Sequence, residues 1–400
     1  MSFLNVLIIN TMNKGKYVFS QVMELVSHKV FNACVNRYKG DYKSKHFNCW
    51  KQFLCMAFGQ LTHRESLSDT IICLQANADK LYHMGIGQAI VKSTLSNANE
   101  NRDHRIFAEM AMILIEQAKT LYLNESDLEI DLKNNVFAID ATVIDVCLSA
   151  FSWAKFRTTK GGVKVHLQLD LKTSIPEFIQ ITPAAVHEVN ILDKITFIKD
   201  SFYVLDRGYT AFDKLYKIHQ ADAFFIIRAK DNLNFSRVSS QQPDKDQGVI
   251  CDQKIRLNGF YSSLHYPLLI RRIKFFDTEN NRTLIFLTNN HQLKATEVAQ
   301  LYKHRWKIEL FFKWIKQHLK IKSFWGRSEN AVKIQIWIAI SVYVLVAIAK
   351  KKFQLNQSLY EILQVTSICI FDKTPIHQLF SKPIQQNFKE QNRNQLKIFH

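Results

Sequence analysis

The pattern of apolar residues changes near residue 134, and this change limits the folds that the chain can adopt. Before it, apolar residues recur about every 3.6 positions and Pro and Gly are rare, which predicts helices over residues 18–31, 47–61 and 106–123. After it come the short or alternating apolar segments that are typical of strands. These are residues 136–139, 163–171, 178–181, 202–205 and 223–227. Helical patterns at residues 188–198 and 211–219 separate the later strands, so the order predicts an α/β domain with a mixed sheet behind an all-helical region.

Two stretches break these patterns with polar residues. Residues 93–105 are predicted to be a polar linker whose Asn and Asp residues cap the helix that follows. Residues 230–282 combine polar turns with short β-like segments, and the 103 positions from Asp206 to Glu309 exceed what one crossover connection needs. We therefore predict a β-rich insertion that leaves the mixed sheet and adds no strand to it.

The rest of the chain is predicted to be mainly helical. One more strand is predicted at residues 283–287, and a long helix at about residues 295–320. The apolar stretch 334–349 is shorter than the roughly 20 residues that a bilayer span requires, so we interpret it as a core helix and expect no membrane partner. The last 20 residues are rich in Gln, Asn and Lys and are expected to fray.

The charge of the chain restricts its partners. The formal net charge is +18 and the pI is about 9.5. So large an excess of cations is not readily paired internally, and a polyanion is the simplest partner, with nucleic acid favoured over an acidic membrane surface. The seven cysteines form no CxxC pair, which favours free thiols in a reducing cytoplasm and argues against a zinc site.

Two aspartates stand where predicted strands end. Asp140 follows the apolar segment 136–139, and Asp206 follows the segment 202–205. Residues just past the carboxyl ends of strands in an α/β sheet face a shared crevice, where an unpaired buried carboxylate costs several kcal/mol. Two such aspartates on one edge predict a metal site, although either one alone could simply cap a turn.

A third carboxylate lies on the helix predicted at residues 295–320. At 100° per residue, four polar side chains of this helix project within about 60° of one another. They are Tyr302, Arg305, Glu309 and Lys316. An apolar stripe lies beside them and consists of Leu301, Ile308, Phe312, Ile315 and Leu319. The helix can therefore pack on the sheet and direct one carboxylate and three hydrogen-bond donors along the rim of that contact.

The spacing of these four residues is specific. Read as Tyr-x2-Arg-x3-Glu-x6-Lys, it resembles the signature of the DDE transposases typified by insertion sequence four. The tetrapeptide 206–209, Asp-Arg-Gly-Tyr, is similar to the box around that family's second aspartate, and 139–142, Ile-Asp-Ala-Thr, to the context of its first. The resemblance spans residues 134–325. The helical start resembles the N-terminal DNA-binding part of one branch of the family.

This resemblance implies a domain organisation. It implies an α/β fold with an RNase H-like catalytic domain, which has a mixed β-sheet and flanking helices, at residues 130–230 and 283–327. The β-rich insertion at residues 231–282 separates the two parts. It also implies an all-helical N-terminal DNA-binding domain at residues 1–125 and a helical C-terminal region with a polar tail at residues 328–400.

The resemblance also implies roles for the candidate residues. The three carboxylates would be catalytic and would bind two Mg²⁺ or Mn²⁺ ions, which prefer hard oxygen ligands and can drive in-line displacement at phosphorus. They are Asp140, Asp206 and Glu309. Tyr302, Arg305 and Lys316 match positions that hold the terminal phosphates of a transposon end, and two cations and a phenol can all donate to phosphate oxygens.

Other residues are candidate DNA contacts by charge and position. Arg228 follows a predicted strand, and a basic stretch lies around residue 160. That stretch contains Lys155, Arg157, Lys160 and Lys164. An ordinary surface cation is the alternative for each of the five. Phe260 and Tyr261 in the insertion are candidates for stacking on a flipped base, a role that relatives give to an aromatic residue.

The function that follows from the resemblance is cut-and-paste transposition of an insertion sequence. Such an enzyme binds the terminal inverted repeats, hydrolyses the phosphodiester at the ends and joins the 3′-OH to target DNA, and we expect a homodimer in the synaptic complex. We expect it on the chromosome in a bacterial cytoplasm. Two alternatives remain open: a non-catalytic DNA-binding regulator of transposon origin, and an RNase H-like nuclease that only hydrolyses.

Overall fold

Helices fill the first part of the chain in the computed structural model, which describes residues 15–126, 128–156, 160–319, 321 and 323–381. They are α1 (Val18–Met23), α2 (His28–Arg37), α3 (Cys49–Leu61), α4 (Leu67–Gln75), α5 (Lys92–Asn101) and α6 (Arg105–Tyr122). Three of them begin at a cap residue whose side chain accepts a hydrogen bond from the backbone N–H three positions later. The caps are Ser27, Asn48 and Ser66.

Helix α5 departs from the sequence prediction, which gave a polar linker at residues 93–105. Leu95 and Ala98 are its only apolar residues and both are buried, so its hydrophobic periodicity is too weak to reveal a helix. Hydrogen bonds tie it to the protein instead. The amide of Gln52 donates to Asn99 Oδ1 (2.8 Å), and Asn330 Nδ2 donates to the Asn99 carbonyl (3.0 Å).

A nine-stranded mixed sheet follows, in the order β3-β2-β1-β4-β5-β9-β8-β7-β6. Its strands are β1 (Val136–Val146), β2 (Gly161–Asp170), β3 (Pro176–Pro183), β4 (Phe202–Leu205), β5 (Phe224–Arg228), β6 (Phe235–Gln241), β7 (Val249–Leu257), β8 (Ile270–Asp277) and β9 (Arg282–Thr288). The first three strands are antiparallel, and β4 and β5 join β1 in parallel. This mixed sheet with flanking helices fits the RNase H-like fold that the resemblance implies.

The prediction that residues 230–282 leave the catalytic sheet was wrong. Strands β6, β7 and β8 extend that sheet, and the short helix α8 (Phe260–His265) lies between β7 and β8. The physical reason is the position of β9, which pairs antiparallel with β5 on one side and with β8 on the other. Backbone hydrogen bonding therefore continues from the catalytic strands into the insertion, and the sheet edge that would need covering lies at β6.

The long helix predicted at residues 295–320 is two helices, α9 (Ala295–Lys303) and α10 (Trp306–His318). The backbone between them makes i→i+3 hydrogen bonds, from Arg305 N to the Tyr302 carbonyl and from Ile308 N to the Arg305 carbonyl (both 3.1 Å). The helix predicted at residues 188–198 is only a 3₁₀ turn, Glu188–Asp193. The helix predicted at residues 211–219 is present as α7 (Phe212–Gln220).

Helix α11 (Glu329–Lys352) lies in the core, as its apolar composition predicts. It is long and apolar enough to cross a membrane by length and composition, but 94% of its most apolar window is buried inside the protein. The Tyr122 hydroxyl at the end of α6 donates to the Ala347 carbonyl of α11 (3.1 Å). Two short helices follow, α12 (Leu359–Ile368) and α13 (Ile376–Ser381), and the polar tail at residues 382–400 lies outside the described residues.

One continuous core joins the N-terminal helices, one face of the sheet and α11. A second cluster of buried residues covers the opposite face of the sheet and includes Leu215 and Ile218 of α7. The N-terminal helices therefore share their core with the catalytic sheet, and α11 packs between the two. The faces of α9 and α10 that carry Leu301, Ile308 and Ile315 belong to the first core, which fixes these helices over the sheet.

Candidate active site

Asp140 and Asp206 lie side by side at one edge of the parallel strands. Strand β1 pairs with β4 from Val136 to Ile139, and the last pair joins Ile139 to Leu205. Asp140 and Asp206 are the next residues on these neighbouring strands. The sequence predicted that Asp140 ends its strand. The strand instead continues, because β1 extends past β4 in its antiparallel pairing with β2. Asp140 is nonetheless the first residue beyond the carboxyl end of β4.

Arg305 connects Asp140 to Glu309. The guanidinium donates from Nη1 to Asp140 Oδ2 (3.2 Å) and from Nη2 to Glu309 Oε1. Glu309 lies in the first turn of α10, where the helix dipole favours a negative charge. The side chains of Arg305 and Asp140 are 14% and 18% exposed, so this ion pair is largely shielded from water. The break between α9 and α10 places Arg305 at the start of α10, where it reaches both carboxylates.

Tyr302 and Lys316 also reach the strand ends. The Tyr302 hydroxyl lies 3.4 Å from Asp206 Oδ1, and Lys316 Nζ donates to the Val143 carbonyl of β1 (3.0 Å). Lys316 lines a cavity of about 360 Å³ together with Asp140 and Glu309. Thus all four residues of the Tyr-Arg-Glu-Lys spacing contact or flank the two aspartates, although a helix break separates Tyr302 from Glu309.

The donor set of this crevice suits hard divalent cations, since three carboxylates offer oxygen ligands. They do not surround one point: in the described part of the chain, no three Asp, Glu, His or Cys side chains are grouped closely enough to hold an ion. The guanidinium of Arg305 lies between Asp140 and Glu309 instead. Two of the three carboxylates therefore already share one positive group, in the region where a cation would bind.

The electrostatics of the crevice disfavour a buried charge on Asp140. Burial raises the pKa of Asp140 from 3.8 to about 6, and the nearby Asp206 and Glu188 act in the same direction. The backbone N–H of Ala141, which donates to Asp140 Oδ1 (2.8 Å), and Arg305 oppose this shift only in part. Arg305 alone therefore leaves negative charge uncompensated in the crevice.

Glu188 is an acidic neighbour that sequence reasoning missed. It lies on the 3₁₀ turn after β3, and Lys164 Nζ is 3.4 Å from Glu188 Oε1. Burial raises the pKa of the Tyr209 hydroxyl, and the charges of Asp140, Glu188 and Asp206 add to this effect. A single short turn gives no periodic signal, so the sequence offered no means to place Glu188 at the crevice.

Lys164 corrects the prediction of a basic DNA-contacting stretch. It is 6% exposed on β2, a strand buried along nearly its whole length, and it donates to the Val186 carbonyl (2.9 Å) as well as pairing with Glu188. A buried, paired lysine is not free to contact a DNA backbone. Lys155 and Lys160 are exposed, and Arg157 lies outside the described residues.

Two further groups of candidates have different positions. Arg228 is at the carboxyl end of β5, close enough to Tyr302 to oppose the rise in its pKa. Burial is the larger effect and raises the pKa of Tyr302 to about 12. Phe260 and Tyr261 are 78% and 72% exposed on α8, in the insertion. Arg228 therefore belongs to the crevice, whereas these aromatic residues lie on an exposed surface of the sheet extension.

Comparison with known protein families decides what this crevice belongs to. A family model described as the transposase DDE domain matches residues 131–345, which is more than half of the chain. The chain belongs to the DDE transposases. A second family model, a domain of unknown function, matches residues 14–87 in the N-terminal helices of the transposase.

Relatives of this transposase carry the same assignment. A protein of Sinorhizobium fredii that is named as a transposase is 32% identical over 296 residues, which cover 72% of this chain and 80% of the relative. A Geobacillus stearothermophilus protein is 28% identical over 52% of this chain and 54% of its own length, and a Synechocystis protein is 25% identical over 65% and 72%. Both are named as transposases for insertion sequence elements. The transposase is therefore of the kind that insertion sequences use.

The pKa of Asp140 leads to a prediction for the metal-free transposase. The folded pKa of about 6 lies above the ordinary value of 3.8, so the ionised side chain destabilises the folded state and stability falls as the pH rises through this range. At pH 8 the free energy of unfolding of Asp140→Asn should therefore exceed that of the wild type by about 1–3 kcal/mol. At pH 4 the two should differ little. Urea titrations in EDTA at both pH values measure this. A variant less stable than the wild type at pH 8 would contradict it.

Proposed function

We propose that this transposase performs cut-and-paste transposition of an insertion sequence. It would bind the terminal inverted repeats, hydrolyse the phosphodiester at each end and join the 3′-OH to target DNA. The observation that carries the proposal is the pairing of Asp140 and Asp206 at adjacent parallel strand ends, with Arg305 joining Asp140 to Glu309. Such a constellation suits phosphoryl transfer, and the buried charge of Asp140 is itself unfavourable for folding.

Asp140, Asp206 and Glu309 would hold two Mg²⁺ or Mn²⁺ ions. Bound there, the ions would stabilise charge at the scissile phosphate and activate the attacking water or 3′-OH. The three carboxylates would keep this positive charge at the strand ends. Arg305 shields Asp140 and Glu309 from each other and would exchange part of this contact for a phosphate of the DNA end.

The cations and the phenol around the crevice would hold the DNA end. Lys316 lines the same cavity as Asp140, and Tyr302 lies against Asp206, so both are placed to donate to phosphate oxygens next to the carboxylates. Arg228 flanks Tyr302 at the end of β5. Exposed Lys155 and Lys160 would contact the backbone farther along the duplex.

A strand-transfer assay tests the proposal. Purified transposase is incubated with a labelled duplex of the element's own end, a supercoiled target plasmid and Mg²⁺, and joined products are separated from hydrolysed ones. Joined products support transposition. Hydrolysis without joining would favour a nuclease, and end binding without cleavage would favour a non-catalytic regulator.

Two further features of the proposal concern assembly and location. We expect a homodimer in the synaptic complex, and the mass of the transposase bound to two end duplexes, measured by light scattering, tests this. We also propose a cytoplasmic location in a bacterium, on the chromosome. All seven cysteines are free, as a reducing compartment would keep them.

Removal of the Arg305 side chain should make the stability of the DNA-free transposase depend on a divalent metal ion. Arg305→Ala leaves Asp140 and Glu309 without their shared cation, so in EDTA we expect the free energy of unfolding to fall by about 1–3 kcal/mol. Mn²⁺ should restore it, because an ion can then bind where the guanidinium was. Thermal melts with EDTA and with Mn²⁺ measure both effects. An equal Mn²⁺ response in wild type and variant would refute this role of Arg305.

A further inference from the structure

The loop between α2 and α3 combines exposed cations with hydrogen-bonded turns. Lys39 and Lys43 adopt left-handed backbone conformations, with φ of 53° and 63°, which side chains other than glycine adopt at a cost. Tight turns hold them: Tyr42 N donates to the Lys39 carbonyl (3.1 Å), and Ser44 N donates to the Asp41 carbonyl (2.9 Å). These hydrogen bonds support the turns of a loop whose lysines are exposed.

Arg102, at the end of α5, forms hydrogen bonds with this loop and with the start of α3. Its guanidinium donates to Ser44 Oγ (3.2 Å), to the Phe47 carbonyl and to Gln52 Oε1 (3.0 Å), and its side chain is 12% exposed. It also lies 3.9 Å from Asp41, which accepts a hydrogen bond from Cys49 N (2.6 Å). Asp41 is the only acidic residue between positions 38 and 47. Its carboxylate faces Arg102 and the Cys49 N–H, so it does not pair with the lysines.

A cavity of about 450 Å³ lies between the loop and α5. The loop contributes Lys39, Lys43 and Tyr42, and the Tyr42 side chain is 75% exposed. Helix α5 contributes Thr94, Asn97 and Asn101, which are spaced three and four positions apart and so share one face. The acidic residue at its rim, Asp103, is bound by the Arg105 guanidinium at 2.6–3.1 Å.

We propose that the loop at residues 39–45 and the polar face of α5 bind the sugar–phosphate backbone of duplex DNA. This surface uses none of the residues of the catalytic crevice, and it rests on the proposed function in that the duplex is the transposase's own substrate. Lysines and amides are the side chains that contact phosphates, and an exposed tyrosine can pack on the deoxyribose edge. A loop whose turns are already hydrogen-bonded has less conformational entropy to lose on binding. The loop lies within residues 14–87, which match a domain of unknown function, and α5 follows that match.

The polar composition of α5 supports this assignment. Most of its turns contribute little to the core, and its burial is limited to Leu95, Ala98 and Asn99. A helix that packs so weakly through apolar contacts is nonetheless fixed by Asn330, whose side chain donates to the Asn99 and Arg102 carbonyls (3.0 and 2.5 Å). The protein thus positions a polar face beside the lysines without using it for packing.

The test compares two double variants of the full-length transposase. Lys39→Gln/Lys43→Gln removes two charges from the loop. Lys133→Gln/Lys199→Gln removes two charges from residues three positions before β1 and β4, at the sheet edge opposite the catalytic aspartates. The probe is a fluorescent duplex of arbitrary sequence, titrated by anisotropy at several salt concentrations in EDTA. Circular dichroism checks that each variant is folded.

The loop variant should bind about tenfold more weakly and show a shallower salt dependence, by about 0.9 in log–log slope for each phosphate that the protein no longer neutralises. Tyr42→Ala should weaken binding without changing the slope, because it removes no charge. The control variant should bind as the wild type does. Equal weakening in both double variants, or a loop variant that binds like the wild type, would overturn the proposal.

Nicking separates this proposal from the proposed function. In Mg²⁺ and at limiting protein, the loop variant should nick an end duplex more slowly, in proportion to its weaker binding, and the control variant Lys133→Gln/Lys199→Gln should nick at the wild-type rate. If the wild type nicks no duplex while the loop variant still binds DNA more weakly, the loop assignment stands and the cleavage function fails. If nicking proceeds and the loop variant binds normally, only the loop assignment fails.

Discussion

Asp140→Asn is expected to abolish Mg²⁺-dependent nicking of a transposon end while leaving DNA binding nearly unchanged. An amide is neutral and a poorer ligand for a hard cation than a carboxylate, and Asp140 is the carboxylate that both neighbours Asp206 and pairs with Arg305. The rate should fall on the order of a thousandfold or more, because several kcal/mol of charge stabilisation is removed at the scissile phosphate. End binding should persist, because it depends on cations elsewhere in the crevice and on the N-terminal region.

The same strand provides a matched control. Asp145 lies on β1 five positions after Asp140, is exposed, and pairs with Gly162 across the hairpin. Asp145→Asn makes the same chemical change outside the crevice and should nick at the wild-type rate. A gel-shift titration and a nicking time course on one end duplex measure both variants. Nicking by Asp140→Asn at near the wild-type rate would show that Asp140 binds no catalytic metal.

The positions of Asp140 and Asp206 at neighbouring strand ends could be predicted from the sequence because they depend on local patterns. Apolar segments that end at Ile139 and Leu205 place the next residue just past the carboxyl end of the β1–β4 parallel pairing. This position does not depend on how the other strands pair. Helical periodicity likewise placed Glu309 on the face that borders the core stripe. It missed the break at Arg305, since neither Pro nor Gly occurs there and the break coincides with contacts to Asp140 and Glu309.

The parts that the sequence did not predict depend on distant partners. Helix α5 has little apolar periodicity and is held by Gln52 and Asn330, which are far away in the chain. Lys164 looked like a surface cation because its neighbours alternate in polarity, yet it pairs with Glu188 from a later turn. The pairing of β9 with β5, which joins the insertion to the catalytic strands, is also a long-range choice, which alternation within one strand does not reveal.

The sheet extension provides the prediction with the largest effect on stability. Arg271 of β8 is 4% exposed and binds both oxygens of Asp252 on β7, at 2.9 and 2.6 Å. Its remaining nitrogen donates to the Leu293 carbonyl (2.6 Å) in the loop that leads into α9. Arg271→Ala should therefore lower the free energy of unfolding by about 3–5 kcal/mol, since it leaves a buried carboxylate without its cation and removes the donor to a partly buried carbonyl.

The cost should come from the unpaired charge more than from the absence of the ion pair, and a double variant separates the two. Asp252→Leu/Arg271→Met replaces both partners by apolar side chains and should recover most of the stability that Arg271→Ala loses. The exposed pair of Lys303 and Glu279 is the control, and Glu279→Ala should leave the urea midpoint almost unchanged. Because the Leu293 loop precedes the helix that carries Tyr302, Arg271→Ala should also slow nicking at temperatures where it remains folded. Urea titrations of the three variants measure the stabilities, and a double variant as unstable as Arg271→Ala would mean that shape and the hydrogen bond to the loop, not the buried charge, dominate at this position.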